Sequence, residues 1–149
     1  MKLTARSRYG TLIVLDIAQF GQDAPVRSCD IAQRKNISMK YMEKITGDLR
    51  KGGILSSRRG PGGGHLLSKS PEMIAVGDVV RVLDRYGPFE HCMGDPEHCD
   101  RSDSCLFHRL WLEAEKALLD NLNKVTFADL VKDRRLCPAA KTLLGLDWS

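Results

Sequence analysis

Residues 28–68 read SCDIAQRKNISMKYMEKITGDLRKGGILSSRRGPGGGHLLS, in which two short helical patterns precede a glycine-rich turn. Ser28 is predicted to cap the first helix, because its hydroxyl can accept hydrogen bonds from the free amides of a first turn. Asn36 breaks that pattern, and Ser38 is a second candidate cap for a helix that ends near Gly52. One face of the second helix is apolar and carries Met39, Met42, Ile45 and Leu49. Two short helices joined by a tight turn are typical of a helix-turn-helix.

The end of this stretch predicts a β-hairpin. Residues 54–59 and 65–68 are short strand candidates, and they flank residues 60–64, four of which are glycine. No Gly-Lys-Ser or Gly-Lys-Thr follows, which excludes a phosphate-binding NTPase loop. The hairpin would form a wing beside the two helices. We therefore predict a mainly α-helical fold with a small β-hairpin wing, a winged helix-turn-helix.

Helical patterns continue on both sides of this stretch. Apolar residues within residues 6–21 recur at spacings of three and four, which predicts one amphipathic helix. Ser70 and Pro71 resemble an N-cap and a first helical residue, and they predict a helix over residues 72–85. Residues 87–105 are polar and lack periodicity, so they are predicted to be a loop. A loop this long needs a function or a stabilising cross-link.

A long amphipathic helix is predicted over residues 105–125. Its apolar stripe would be roughly 30 Å long and consists of Leu106, Leu110, Ala114, Ala117, Leu118, Asn121, Leu122 and Val125. Most soluble oligomers are two-fold homodimers, so we predict a dimerisation helix, with packing on its own chain as the alternative. Thr126 and Asp129 have the spacing of a capping box and predict a last short helix to about Lys132.

Charge divides the chain more clearly than its net value of +4 indicates. Residues 1–70 hold 13 Lys and Arg against 5 Asp and Glu, whereas residues 71–149 hold 10 against 14. A basic half suits a polyanion such as double-stranded DNA, although a solvated basic face is the alternative. We predict a DNA-binding winged helix-turn-helix over residues 1–70, a linker helix, cysteine loop and dimerisation helix over residues 71–132, and a tail over residues 133–149.

The compartment is predicted to be the reducing cytoplasm. The longest apolar run near the start, residues 12–15, is far short of the roughly 20 residues that span a bilayer, and no signal-peptide core precedes it. The five cysteines are an odd number, which does not suit a complete disulfide framework. Metal ligation or redox sensing is the better use for the clustered cysteines. We expect Cys29 to be a small buried residue and assign no role to Cys137.

The second helix of the helix-turn-helix carries hydrogen-bonding side chains at its start, where such helices reach base edges in the major groove. These candidate DNA-binding residues are Ser38, Lys40, Tyr41, Glu43 and Lys44. Glu43 is informative because phosphates repel a carboxylate, so its use would be specificity, most simply by accepting from cytosine N4. An exposed Glu paired with a neighbouring Lys is the alternative.

The predicted wing supplies a second DNA contact. Arg58 and Arg59 precede the turn, and arginine is the side chain commonly inserted into a narrow minor groove. Gly62 and Gly63 would let the backbone approach DNA closely. A tight hairpin with incidental charge explains the glycines but not their pairing with a helix-turn-helix.

Four potential metal ligands follow in the spacing C-x6-C-x5-C-x2-H: Cys92, Cys99, Cys105 and His108. Thiolates and imidazole serve Zn²⁺ or an iron–sulfur cluster. A CCCH zinc finger has a similar beginning but places three residues before its histidine, and the acidic Asp95, Glu97, Asp100 and Asp103 make this loop a poor nucleic-acid surface. His91 or His98 could replace His108 as fourth ligand. No Ser/His/Asp or paired-carboxylate arrangement is found, so we expect no enzyme.

Several of these motifs together resemble the Rrf-type winged-helix transcription regulators, and most closely the iron–sulfur cluster regulators among them. The resemblance covers residues 1 to about 132 and rests on Met-Lys-Leu-Thr at residues 1–4, Ile-Ser-x-x-Tyr-x-Glu at 37–43, Leu-Arg-Lys at 49–51, Arg-Gly-Pro-Gly-Gly-Gly at 59–64 and Cys-Leu-Phe-His at 105–108. The chain departs from the family pattern in two places. Six residues rather than five separate the first two loop cysteines, and His65 stands where the family usually has Tyr.

The resemblance implies a homodimeric bacterial regulator that reads a pseudo-palindromic operator and holds a 2Fe-2S cluster. The implied ligands are Cys92, Cys99, Cys105 and His108, and the implied DNA contacts are Lys40, Tyr41, Glu43, Lys44 and Arg59. Nitric-oxide-sensing relatives with a 4Fe-4S cluster can use an acidic ligand where this chain has Arg8, which favours 2Fe-2S. We expect a DNA-binding regulator, in the first place a repressor, that senses iron–sulfur status, redox state or nitric oxide. The alternatives are a zinc-stabilised DNA-binding protein and a cofactor-free regulator controlled by a protein partner.

Overall fold

The computed structural model describes residues 4–84 and 106–132 of the chain. The helices within these ranges are α1 (Ala5–Phe20), α2 (Ser28–Lys35), α3 (Met39–Lys51), α4 (Val76–Leu83), α5 (Leu106–Leu122) and α6 (Phe127–Lys132). A two-stranded sheet, β1 (Leu55–Arg58) and β2 (Gly64–Leu67), follows α3, and a 3-10 turn, Pro71–Met73, precedes α4. The predicted cysteine loop, with Cys92, Cys99 and Cys105, and the predicted tail at residues 133–149 lie outside the described residues.

The predicted winged helix-turn-helix is confirmed as the arrangement of α2, α3, β1 and β2. Ser38 caps α3 as predicted, because its hydroxyl accepts a hydrogen bond from the Tyr41 amide at 3.3 Å. Thr4 caps α1 in the same way through the Ser7 amide at 3.2 Å. The core gathers the apolar faces of these elements and includes Ile13, Val14, Ile17, Ile31, Met42, Ile45, Leu49, Leu55, Ile74, Val79, Leu83 and Phe127.

The hairpin is antiparallel, and its register pairs Leu55 with Leu67 and Ser57 with His65. Gly62 in the turn has a φ of 75°, in the left-handed region that favours glycine. The backbone of Val26, between α1 and α2, bridges to His65 on the other side of β2. β2 therefore lies between β1 and the segment that leads into α2.

One predicted helix start and one predicted helix extent are wrong, although Ser70 and Pro71 do begin a 3-10 turn as an N-cap and a first helical residue. Ser28 lies inside α2, whose N-cap is Arg27, and the Ser28 hydroxyl contacts the His65 side chain instead. The single helix predicted over residues 72–85 is divided into the 3-10 turn and α4. The division occurs at Ile74 and Ala75, because the Ile74 carbonyl accepts from the Phe127 amide at 3.0 Å and Ala75 bridges to Thr126.

The predicted helix over residues 105–125 is confirmed as α5, although it ends at Leu122. The predicted capping box is also confirmed at α6, where Asp129 accepts from the Thr126 amide at 3.0 Å and Thr126 accepts from the Asp129 amide at 3.2 Å. α6 returns the chain to the core, since Phe127 is fully buried. In the described part of the chain, no helix is both long and apolar enough to cross a membrane.

Candidate nucleic-acid interface

The start of α3 presents polar side chains to solvent. Ser38, Lys40, Glu43 and Lys44 are all exposed, as predicted for a recognition helix, while Met42, Ile45 and Leu49 hold the opposite face in the core. Met39 departs from the predicted apolar face, because 41% of it is exposed. The structure therefore gives α3 a narrow buried face and a wide surface available to a ligand.

Tyr41 does not lie fully on the outward face on which it is predicted. Its ring is half-buried, packs against the core, and meets the Tyr9 ring of α1 edge to face with centroids 5.7 Å apart. Aromatic pairs in this geometry contribute about 0.5–1.5 kcal/mol beyond their buried area. Tyr41 therefore helps to position the start of α3 against α1.

An ion cluster that the sequence analysis missed fixes α2 against α1. The carboxylate of Asp16 is fully buried and accepts from Arg34 Nη2 at 2.6 Å, and Lys35 Nζ lies 3.0 Å away. Burying a charge is costly unless it is paired and hydrogen-bonded, and here two cations of α2 provide that pairing. The signal in the sequence is an aspartate inside the apolar run of α1. The cluster sets the orientation of the helix that precedes the recognition helix.

A second ion pair fixes α3 directly, since the guanidinium of Arg6 in α1 binds the carboxylate of Asp48. At the far end of α3, Arg50 donates to the Ser57 hydroxyl in β1 at 3.0 Å. The recognition helix is therefore tied to α1 on one side and to the wing on the other.

The wing carries its two arginines at the end of β1 and in the turn, where Arg58 and Arg59 are both exposed. Gly62 and Gly63 lie in the same turn, and a Cβ on Gly63 would lie 2.3 Å from the Arg58 carbonyl oxygen. The turn can therefore close only with glycine at that position. The structure thus places all four predicted wing residues at the end of β1 and in the turn that follows it.

The exposed cations of α3 and the wing lack the carboxylate partners that several other cations in the described part of the chain have. Arg6, Arg27, Arg34 and Lys35 each contact a carboxylate. Among residues 4–84 and 106–132, no carboxylate lies within ion-pair distance of Lys40, Lys44, Arg58 or Arg59. Cations that the protein leaves unneutralised at an exposed surface are available to the phosphates of a nucleic acid.

Of the four predicted metal ligands, the structure describes one. His108 lies in the first turn of α5, where it is half-buried. No group of three potential metal ligands occurs among the described residues. Cys29 is not the small buried residue that we predict: it is exposed on the solvent side of α2, while Ile31 and Ala32 of the same helix face the core.

Comparison with known proteins agrees with this arrangement. The family model Rrf2, described as an iron-dependent transcriptional regulator, matches residues 3–133. The chain is similar to Protein rrf2 of Nitratidesulfovibrio vulgaris, with 47% identity over 138 residues that cover 93% of this chain and 92% of that protein. It is also similar to the HTH-type transcriptional regulator IscR of Yersinia enterocolitica, with 40% identity over 94% of this chain and 85% of that protein.

Solved structures show the same relationship. T. potens IscR matches with a TM-score of 0.71 and 32% identity over 89% of this chain and 88% of that one. CymR of B. subtilis, described as the global cysteine regulator, matches with a TM-score of 0.68 and 30% identity over 89% of this chain and 97% of that one. These relatives are transcription regulators rather than enzymes. The chain therefore belongs to the Rrf2 family and is a DNA-binding transcription regulator of the winged-helix class.

Proposed function

We propose that this regulator reads DNA through two contacts: α3 in the major groove and the wing in the adjacent minor groove. The observation that carries the proposal is the set of exposed cations without carboxylate partners, Lys40 and Lys44 on α3 and Arg58 and Arg59 in the wing. Ser38 and Glu43 would add base-edge contacts, and Gly62 and Gly63 would allow close approach of the wing backbone. Tyr41 contributes mainly by positioning α3.

The regulator would act as a homodimer on a pseudo-palindromic operator in the cytoplasm, in the first place as a repressor. α5 supports this assembly because it has no buried residue, while Leu106, Phe107 and Leu110 are 81%, 66% and 51% exposed. Two-fold symmetry would pair these faces and present two recognition helices to two half-sites. Residues 1–70 would bind DNA, and residues 71–132 would hold the cofactor and the dimer contact.

Cys92, Cys99, Cys105 and His108 would hold a 2Fe-2S cluster. The donor set fits such a group, since thiolates and one imidazole are established ligand types for iron–sulfur clusters. His108, the described member, lies in the first turn of α5 and is not sealed in a core. When bound, the cluster would supply a redox-active, exchangeable centre whose potential is raised by histidine ligation. Among the described residues, no cluster of three or more His, Cys, Asp or Glu side chains competes with this set.

A continuous path of packed helices connects His108 with the recognition helix. His108 lies in the first turn of α5, and the last turn of α5 packs on α4. The contact there is close, because a Cβ on Gly77 of α4 would lie 3.2 Å from the Leu119 carbonyl oxygen and would also meet the Asn123 side chain. α4 in turn packs against both α1 and α3. A change in the position of α5 would therefore reach α3 through α4. Coupling of this kind between two sites is typically worth about 1–3 kcal/mol.

The cofactor is tested by anaerobic purification followed by measurement of iron, sulfide and zinc. We expect about equal iron and sulfide in the wild-type protein and loss of both in Cys92→Ala. Cys29→Ala is the matched control, because this exposed cysteine lies outside the proposed ligand set and its loss should leave iron and sulfide unchanged. Zinc in place of iron would support the zinc-stabilised alternative. Unchanged DNA binding after loss of all three loop cysteines would support a cofactor-free regulator.

The DNA contacts are tested by selecting binding sites from a random duplex library and comparing variants on the selected site. Arg59→Ala should weaken binding, while Glu43→Ala should mainly relax sequence preference. Arg81→Ala is the control, because it removes an exposed arginine from α4, outside the two contacts. Wild-type affinity in Arg59→Ala together with wild-type preference in Glu43→Ala would contradict the proposed docking.

A further inference from the structure

His65 at the base of the wing is buried although it lies on a two-stranded hairpin. Only 8% of it is exposed, and its Nε2 lies 2.9 Å from the Ser28 hydroxyl oxygen in the first turn of α2. Its backbone amide donates to the Val26 carbonyl at 2.8 Å, and its carbonyl accepts from the Val26 amide at 2.9 Å. This one residue therefore joins the wing to the start of the helix-turn-helix through both its backbone and its side chain.

The second ring nitrogen of His65 makes protonation unfavourable. Nδ1 is buried and has no hydrogen-bond partner within the described ranges. A neutral imidazole carries a proton on one nitrogen only, so Nε2 can hydrogen-bond to Ser28 while Nδ1 stays unprotonated. An imidazolium carries a proton on both nitrogens and would leave a buried donor unsatisfied.

The charged groups around the His65 ring also make its protonation unfavourable. Arg50 of α3 donates to Ser57, which lies directly opposite His65 in the sheet, and its guanidinium therefore reaches the same face as the imidazole. The acidic groups on the neighbouring elements are already paired: Asp30 of α2 with Arg27, and Asp16 of α1 with Arg34 and Lys35. Arg58 of β1 adds positive charge nearby in the chain. None of these acids is left to balance a charged His65.

We propose that His65 is a positioning residue for the wing. Its neutral side chain fastens the wing to α2 through Ser28. Protonation of the ring releases the wing, so DNA affinity falls in acid. The inference rests on the proposed wing contact with DNA. It deepens that proposal by making the second contact conditional on the state of a single side chain. A tyrosine at this position could not respond in this pH range, because its pKa is near 10.

The direction of the pH dependence follows from burial. Burial, with a smaller contribution from the charge of Arg50, lowers the pKa of His65 below its ordinary value of 6.5. A released wing exposes the imidazole to water, where it titrates at its ordinary pKa. The fastened wing is therefore fully favoured above about pH 6.5 and loses stability as the pH falls from there towards the lower pKa of the buried ring.

The test compares wild-type protein with His65→Gln on the selected DNA duplex between pH 5.5 and pH 8 at constant salt. The glutamine amide can still reach Ser28 but does not titrate. At pH 8 the two affinities should agree within about twofold, and at pH 5.5 wild type should bind at least about threefold more weakly than His65→Gln. The three other histidines and the cluster ligands are present in both proteins, so the ratio of affinities isolates His65.

Ser28→Ala and Arg59→Ala complete the design. Ser28→Ala removes the partner of the His65 ring, so it should weaken DNA binding already at pH 8. Its affinity should then fall less between pH 8 and pH 5.5 than the affinity of wild type does. A ratio of wild-type to His65→Gln affinity that stays constant or rises in acid would overturn the inference, provided that Arg59→Ala still weakens binding. If Arg59→Ala binds like wild type at every pH, the wing contact itself is wrong. An NMR titration of the His65 ring, with circular dichroism to confirm folding at pH 5.5, should give a pKa below 6.5, and a higher pKa would also overturn it.

Discussion

The N-terminal unit, defined as residues 4–84, and helix α5 use their apolar residues in opposite ways. In the N-terminal unit, residues such as Ile13, Met42, Ile45 and Val79 are fully buried within their own chain. α5 is of similar length to α1, yet none of its residues is buried. The N-terminal unit is therefore completed by intramolecular packing, whereas within the described residues α5 keeps all of its side chains at least partly exposed.

This difference supports the proposal that α5 pairs with a second copy. Polar groups follow the same division: Asp16 and the two cations that neutralise it all lie within the N-terminal unit. α5 contacts that unit mainly at its C-terminal end, through α4. Changes that disrupt contacts inside the N-terminal unit should lower the free energy of unfolding, whereas changes on the apolar face of α5 should alter assembly.

Asp16→Ala should cause the largest loss of stability. The substitution removes a fully buried carboxylate that binds Arg34 and Lys35, and breaking a buried ion pair typically costs about 3–5 kcal/mol. We expect the low end of that range, because both cations retain some contact with water. Urea unfolding followed by circular dichroism measures the loss. Asp23→Ala removes an equal charge from the exposed surface and should change stability by less than about 0.5 kcal/mol. Equal stability of the two variants would show that the cluster does not hold α2 in place.

Leu110→Glu should leave the fold intact and separate the dimer. The side chain is 51% exposed, so a carboxylate there can remain hydrated in the protomer but would face its symmetry mate in a paired helix. Loss of the second recognition helix should weaken operator binding on the order of 100-fold. Sedimentation velocity and DNA binding give the two readouts.

Lys116→Gln is the matched control for Leu110→Glu, because it changes the net charge of α5 by the same amount at an exposed polar position. It should remain dimeric. If Leu110→Glu also remains dimeric, the dimer forms through another surface. If it unfolds instead, the division between the N-terminal unit and α5 is wrong.

Gly64→Ala should disturb the base of the wing while leaving α5 unaffected. A Cβ on Gly64 would lie 2.4 Å from the carbonyl oxygen of Val26 and 2.6 Å from its carbonyl carbon, both of them backbone atoms. Overpacking of this kind costs about 1–3 kcal/mol. We expect a loss of about 2 kcal/mol, faster amide exchange of Val26 and His65, and weaker DNA binding.

Gly47→Ala provides the control with the opposite sign. Gly47 lies inside α3, and a Cβ there would meet nothing within 4 Å. Replacing a helical glycine by alanine should stabilise the protein by about 0.5–1 kcal/mol. If Gly64→Ala were as stable as Gly47→Ala, the Val26 backbone would have to move freely, and the wing would not be fixed at its base.

Local patterns in the sequence were sufficient to predict the elements whose stability is local. Ser38 and the Thr126–Asp129 pair were identifiable because a cap bonds to amides three residues away. The wing turn was identifiable because glycine composition reflects backbone conformation. The exposed face of α3 followed from the spacing of Met42, Ile45 and Leu49.

The features that the sequence did not predict depend on distant partners. Ser28 has the composition of a cap, but its hydroxyl contacts His65, 37 residues further along the chain. The helix predicted over residues 72–85 is divided because Ala75 bridges to Thr126. Exposure of Cys29 depends on which face of α2 meets α1, and the ion cluster at Asp16 sets that face. The residues that position α3 and the wing are therefore long-range features, while the proposed DNA contacts are local ones.

Thr126→Ala should have the smallest effect and test where the N-terminal unit ends. The hydroxyl of Thr126 accepts from the Asp129 amide at 3.2 Å and donates to the Asp129 carboxylate at 2.7 Å. Losing such a cap costs about 1 kcal/mol. The Thr126 hydroxyl, followed by its amide, lowers the pKa of Asp129, so the capping contribution is present above about pH 4 and is lost as the pH falls through the lowered value.

Phe127 of α6 is buried in the core, and Thr126, directly before α6, forms a backbone bridge with Ala75. We therefore expect α6 to unfold together with the N-terminal unit. Thr126→Ala should then lower the global free energy of unfolding by about 1 kcal/mol at pH 7, measured by urea titration. Thr11→Ala, which removes a hydroxyl that donates to the Arg8 carbonyl within α1, should have no such cost. Hydrogen exchange could instead show faster opening confined to residues 127–132, with unchanged global stability. In that case α6 is a separate element, and the core formed by residues 4–84 is complete without it.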